Sequence, residues 1–120
     1  MNPRQLDYFR RKLETWREEL IAESEQTLEH LRSENWQEPD PNDRATHESE
    51  ASLELRTRDR YRKLINKIDA ALRRIDKGEY GYCEETGEPI GLPRLEARPI
   101  ATLSVDAQEA HENEERRRWD

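Results

Sequence analysis

The sequence predicts a mainly α protein: a long antiparallel coiled-coil hairpin, then a small globular region and a C-terminal helix. Three observations lead there. Charged residues make up 41% of the 120-residue chain and hydrophobic ones only 32%, against about 25% and roughly 45–50% in ordinary globular domains. Such a chain cannot fill a large spherical core, so it is either disordered or built of long helices that bury a narrow stripe. Two stretches then repeat apolar residues at alternating steps of three and four, the seam of a coiled coil. A segment rich in glycine and proline follows the second stretch.

The first helix is expected from about Pro3 to Glu34. Pro3 suits a first helical turn and Asn2 is a fair cap before it. Leu6, Phe9, Leu13, Trp16 and Leu20 form the seam. It weakens at Ser24 and Thr27 before Leu28 and Leu31 resume it. From Asn35 to Asp43 the pattern breaks, because Pro39 and Pro41 disfavour helix at the residues before them. Glu38-Pro39-Asp40-Pro41-Asn42-Asp43 reads as an acidic turn.

A second helix is expected from about Thr46 to Lys77. Tyr61, Leu64, Ile68, Ala71 and Ile75 repeat the seam, with Leu53 and Leu72 beside it, and Gly78 terminates the helix. Each helix is then about 32 residues, or roughly 48 Å. Two equal helices with a short connection fold back on each other. Gly81 to Ser104 carries three of the four glycines and three of the six prolines, which predicts turns and strand fragments and makes helix unfavourable. Ser104 is placed to cap a last helix running to about Arg117, beyond which the charged tail frays. The expected domains are therefore a hairpin over 1–78, with its acidic tip at 35–45, and a globular region with the C-terminal helix over 79–120.

Several classes are excluded. No apolar run approaches the roughly 18 residues that span a bilayer, and the N-terminus shows no secretory apolar stretch. A single cysteine allows no intramolecular disulfide and suggests a reducing compartment, so a cytoplasmic location is expected. A pI near 5.1 argues against coating of nucleic acid. The net charge of −7 conceals a separation: from Arg56 to Arg74 there are eight basic residues and two acidic ones. A charge run alone is ordinarily a solvated face; its sharper reading is a basic stem that docks on an acidic partner while an acidic tip is delivered elsewhere.

Asp40 and Asp43 are ordinary turn residues. They are also candidates for binding a divalent cation or for acid–base work, although no glycine-punctuated calcium loop surrounds them. Cysteines at positions 83, 86, 104 and 107 would make a Cys₄ zinc ribbon. The residues there are Cys83, Thr86, Ser104 and Ala107, so the region reads as zinc-ribbon-like with its metal ligands lost. Cys83 then reads as a small buried residue; a redox role needs a low thiol pKa and exposure. His30, His47 and His111 form no ligand pattern and read as solvated. No catalytic constellation is visible, and no enzyme is expected.

Four segments together resemble the DksA/TraR family of bacterial transcription factors: Asp40-Pro41-Asn42-Asp43-Arg44-Ala45-Thr46, Ser52-Leu53-Glu54-Leu55-Arg56-Thr57-Arg58-Asp59-Arg60, Gly81-Tyr82-Cys83-Glu84, and Arg94-Leu95-Glu96-Ala97-Arg98-Pro99. The resemblance runs from Gln5 to about Gln108. It implies a monomer that binds RNA polymerase without recognising a DNA sequence, enters the secondary channel, and changes initiation together with the alarmone ppGpp. It implies tip roles for Asp40, Asp43 and Ala45, polymerase contacts for Arg60, Leu64 and Lys67, and ppGpp contacts for Lys67 and Arg98. Two departures stand out. The degenerate zinc positions resemble the family's zinc-independent variants, so the fold is carried over and the metal is not. Gln108 stands where a lysine is usual, which implies one phosphate contact fewer. Longer members carry a further N-terminal segment, and a shorter chain is expected to have a looser globular end. Gre-type transcript cleavage factors share the acidic-tipped hairpin plan and are one alternative. A coiled-coil adaptor with no polymerase role is another.

Overall fold

The computed structural model describes residues 1–35 and 44–119, with side chains over 1–33 and 48–119. Four helices follow in order: α1 (Pro3–Asn35), α2 (Arg44–Lys77), α3 (Leu92–Ala97) and α4 (Val105–Trp119). The described residues form two compact units, one of Met1–Leu13 with Asp69–Asp120 and one of Glu14–Ile68. Among them no helix is long and apolar enough to cross a membrane.

The helix ends follow from local chemistry. Asn2 Oδ1 accepts the Gln5 N–H at 2.8 Å, and Gln5 Oε1 accepts the Asn2 N–H at 3.1 Å. Two otherwise orphaned donors of α1 are thus satisfied reciprocally. At the far end of α2, Gly78 adopts φ +74°. Its N–H reaches Ile75 C=O and the Glu79 N–H reaches Arg74 C=O. That double closure needs a left-handed residue, which only glycine supplies without strain.

Within the Glu14–Ile68 unit, α1 and α2 pair antiparallel. Arg32 bonds Glu54 at 3.0 Å, and Tyr61 Oη donates to Glu23 at 3.0 Å. Leu20 and Ile68 are buried. Where the apolar seam weakens, Thr27 Oγ1 lies 3.3 Å from Tyr61 Oη. A short polar chain, Thr27–Tyr61–Glu23, thus fills the gap. Leu53, expected beside the seam, is exposed, as is Leu55.

In the other unit, Arg10 of α1 pairs with Asp76 of α2. Phe9, Leu13, Ala71, Ile75, Tyr80, Ile90 and Leu95 form its core. Phe9 and Tyr80 stack tilted at 5.7 Å between centroids, a favoured aromatic arrangement. The stretch from Gly81 to Ser104 departs from expectation. It contains the helix α3, and its pairing is reduced to one isolated antiparallel bridge between Tyr82 and Pro89. Six residues cannot hold a helix by propensity alone. Here Gly91, at φ +97°, turns the chain in, Pro93 fits the first turn, and Leu95 is buried. Gly81 lies at φ +90°, where an added Cβ would come within 2.6 Å of Met1 Sδ. Ser104 caps α4 as expected, its hydroxyl accepting the Ala107 N–H at 3.2 Å. That helix continues past Arg117 to Trp119.

Candidate functional site

A basic groove lies on α2. Arg56, Asp59, Arg60, Lys63, Leu64 and Lys67 line a depression of about 490 Å³. Its cause is the helical period. Residues 56, 60, 63 and 67 are spaced four, three and four apart, so they share one face. Leu64 is half-buried, while Arg56, Arg60, Lys63 and Lys67 are exposed. Among the described residues, Arg60, Lys63 and Lys67 take part in no ion pair. Asp59, the one acid on the rim, sits 4.0 Å from Arg62. Four like charges at i, i+3 and i+4 positions destabilise a helix by tenths of a kcal/mol per pair. The face is therefore poor for stability in isolation and suited to an anionic partner.

Arg60, Leu64 and Lys67 stand together in this groove. Arg56 and Lys63, which the sequence places in the basic stem, stand with them. Arg98 lies in the Met1–Leu13/Asp69–Asp120 unit, exposed at the C-cap of α3, its N–H bonded to Arg94 C=O at 2.7 Å. Asp40 and Asp43 lie outside the described residues. Ala45 falls in the first turn of α2. Gln108 is half-buried in α4 and donates to Glu112 at 3.3 Å.

The zinc-ribbon positions are occupied in a different way. The Cys83 thiol is 2% exposed. It takes hydrogen bonds from the Thr86 side chain and from the backbone N–H groups of Ser104, Thr86 and Glu85, which together draw its pKa down to about 6. Thr86 Oγ1 accepts the Glu88 N–H and Ser104 Oγ the Ala107 N–H. Ala107 has no donor atom, and among the described residues no cluster of three or more His, Cys, Asp or Glu could hold a metal. One thiolate and two engaged hydroxyls do not fit a tetrahedral zinc site. Other contacts hold the segment. Arg74 donates to the Glu84 carboxylate and to the carbonyls of Glu79 and Tyr82. Glu84 N–H reaches Thr102 C=O at 2.9 Å. His111, expected to be solvated, pairs with Glu85, and this contact raises its pKa.

A pH dependence follows. The Cys83 pKa falls from an ordinary 9.0 to about 6, so the folded thiolate adds stability that is complete above about pH 9 and fades as pH drops through 6. His111 acts oppositely, its contribution present below 6.5 and lost as pH rises through its raised value. Denaturant midpoints measured between pH 5 and 9, in wild type and Cys83→Ser, separate the two. The difference between the proteins is expected to grow with pH from 6 to 9; a constant difference would show that the thiol stays protonated.

The comparisons with known proteins match this architecture. The family described as "DnaK suppressor protein DksA, N-terminal domain" covers residues 5–75, and "Prokaryotic dksA/traR C4-type zinc finger" covers 78–113. The chain belongs to the DksA family. The RNA polymerase-binding transcription factor DksA of Caulobacter vibrioides is 63% identical over 116 residues, spanning 97% of this chain and 82% of the relative. The DksA of Escherichia coli K12 is 51% identical, spanning 90% and 72%. The solved structure of the transcription factor DksA2 from Pseudomonas aeruginosa superposes with a TM-score of 0.85 at 44% identity, over 96% of this chain and 88% of that one. The coiled-coil hairpin is thus a DksA hairpin. The C4-type match coexists with a donor set that, at positions 83, 86, 104 and 107, is reduced to Cys83.

Proposed function

We propose that this chain is a transcription regulator that binds RNA polymerase. Its α2 groove, with Arg60, Leu64 and Lys67, docks on the polymerase while the hairpin enters the secondary channel. Asp40, Asp43 and Ala45 are then delivered close to the active site. Initiation changes in concert with ppGpp, through inhibition at ribosomal RNA promoters and activation at some others, and Lys67 and Arg98 contribute the phosphate contacts. The protein acts as a monomer and needs no zinc.

The observation that carries this reading is the basic groove on α2, whose Arg60, Lys63 and Lys67 take part in no ion pair among the described residues, in a chain whose relatives are named RNA polymerase-binding transcription factors. The groove's lysines and arginines supply long-range attraction and Leu64 an apolar contact, the combination expected for docking on an acidic protein surface. Each α helix of the hairpin is about 50 Å long, enough to carry a tip deep into a channel. Short carboxylates at such a tip can act on mobile elements or on a metal's surroundings without chemistry of their own. Lys67 would meet a phosphate as a point charge and Arg98 as a fork.

The test is transcription in vitro from a ribosomal promoter, with and without ppGpp and with and without a zinc chelator. Inhibition that grows with ppGpp and ignores the chelator is expected. Asp43→Asn is expected to remove most of the inhibition while leaving polymerase affinity within about twofold and stability within about 0.5 kcal/mol. If affinity falls in step with activity, the tip is an affinity element and the proposed division of labour is wrong. Stimulated RNA cleavage in backtracked complexes, without an effect on initiation, would replace this reading with a Gre-type one. Failure to compete with a known channel binder would leave an adaptor.

A further inference from the structure

Arg98 is a single exposed side chain on a backbone pinned on every side. Its N–H bonds Arg94 C=O at 2.7 Å, and its own carbonyl accepts the Ala101 N–H at 3.0 Å. The neighbouring Pro99 is buried, and its carbonyl accepts the Tyr80 hydroxyl at 2.8 Å. On the other side, Leu95 is 1% exposed, and Arg94 Nε donates to Leu103 C=O at 3.0 Å. All of these ties belong to the core or to the backbone, and Glu96 differs from them. Its carboxylate oxygen accepts the Tyr8 hydroxyl at 2.6 Å and the Lys12 ammonium at 2.7 Å, while its carbonyl accepts Lys12 at 2.9 Å. Lys12 also lies 5.9 Å from the centroid of the Tyr8 ring. These contacts fasten α3 to the first turns of α1 across 84 and 88 residues of sequence.

From this geometry we infer that Glu96 is the positioning residue for Arg98: the Tyr8–Lys12–Glu96 clasp fixes the C-terminal end of α3 and so the direction in which the Arg98 guanidinium leaves the surface. The inference rests on the proposed role of Arg98 toward the phosphates of ppGpp. A six-residue helix has no rigidity of its own, so its last turn is only as well placed as its contacts. Glu96 stands two residues before Arg98, within the helical turn that the Arg98 N–H closes on Arg94 C=O. Charge-assisted hydrogen bonds are about twice as strong as neutral ones, and the Glu96 carboxyl, held by Lys12 and then by Tyr8, lies below its ordinary pKa range. The clasp is therefore intact at neutral pH. A phosphate fork depends on direction, because its two N–H groups must meet two oxygens together. Without the clasp, Arg98 keeps its charge and its backbone ties but loses the side-chain contacts that hold the preceding turn of α3 against α1.

The test is a double-mutant cycle read as the ppGpp concentration giving half-maximal response in transcription from a ribosomal promoter. Arg98→Ala alone is expected to raise that concentration at least about tenfold, equivalent to roughly 1.4 kcal/mol. Glu96→Ala alone is expected to raise it about three- to tenfold, and Glu96→Gln less, because the amide oxygen still accepts from Tyr8 and Lys12. In the Arg98→Ala background Glu96→Ala is expected to add nothing, since a positioning residue has no effect once its client is absent. Tyr8→Phe supplies a milder version of the same break if Glu96→Ala does not fold. Additive effects, or no effect of Glu96→Ala and Tyr8→Phe where Arg98→Ala has one, overturn the inference and leave the role of Arg98 standing. No effect of Arg98→Ala overturns that role and the inference with it.

Discussion

Lys67→Glu is expected to weaken binding to RNA polymerase at least about tenfold. The replaced ammonium lies in a groove where Arg56, Arg60 and Lys63 carry the same charge, and Arg60, Lys63 and Lys67 are held by no ion pair among the described residues. Reversing one charge removes an attraction and adds a repulsion. Exposed pairs contribute about 0.2–1 kcal/mol each, so two or more altered pairs reach the roughly 1.4 kcal/mol that corresponds to tenfold. The helix itself is little affected. A glutamate at 67 would face Lys63 one turn back, exchanging a like-charge pair for an opposite one worth a few tenths of a kcal/mol. Titration of labelled protein against polymerase, at low and at moderate salt, gives the measurement. Wild-type affinity is expected to fall with salt and that of Lys67→Glu to fall less steeply, because fewer attractive charges remain to be screened. Arg4→Glu makes the same change of net charge at an exposed position of α1 that does not line the groove and serves as the control. Equal losses in both variants would mean that net charge, and not the groove, governs binding.

The features legible in the sequence are those decided within a few residues or by a fixed period. The Asn2 cap, the Gly78 terminator and the Ser104 cap each depend on bonds between residues three to five positions apart, and all three form as read. The hairpin seam is legible because helical spacing maps directly onto one face, and Phe9, Leu13, Leu20, Ile68, Ala71 and Ile75 are buried accordingly. The basic groove follows from the same period. The features missed are those decided by distant segments. The helix α3 depends on burial of Leu95, which neither its length nor its glycine-flanked sequence announces. The low pKa of Cys83 owes most to the Thr86 side chain three residues on, and next to the Ser104 N–H, 21 positions along the chain, which a local reading does not reach. The His111–Glu85 pair spans 26 residues and the Glu96 clasp more than 80. The cysteine also shows why its two sequence readings were hard to separate. It combines the burial of a structural residue with the acidity of a reactive one, because hydrogen bonds, not solvent, stabilise its charge. The acidic tip was read from turn chemistry and family resemblance, and Asp40 and Asp43 fall outside the described residues.

Leu95→Ala is expected to cost about 2–5 kcal/mol, the range for a leucine truncated in a packed core. Leu95 is 1% exposed, among the most buried side chains of the described chain, and its Cδ1 would stand 3.6 Å from a Cβ at Gly81. It is the one buried residue of α3, so its loss removes what makes those six residues helical. The consequence is magnified by the size of the unit. Small domains bury a modest fraction of their surface and keep only a few kcal/mol in reserve. A finger with four thiolates has a metal cross-link to supplement that reserve; here the donor set at 83, 86, 104 and 107 supplies one. Among the described residues, the apolar core, the Arg74 contacts and the hydrogen bonds at Cys83 are what hold this segment. Leu95→Ala is therefore expected to bring the Met1–Leu13/Asp69–Asp120 unit close to its unfolding midpoint. It is also expected to expose its amides to hydrogen exchange under conditions where wild type protects them. Leu55→Ala, at a site 66% exposed, removes the same atoms from solvent contact and is expected to change stability by no more than about 0.5 kcal/mol. If urea midpoints of the two variants shift alike, the apolar core is not what holds this unit. The polar contacts around Arg74 and Cys83 would then have to hold it alone, a load that net hydrogen-bond energies of about 1 kcal/mol each make difficult to meet.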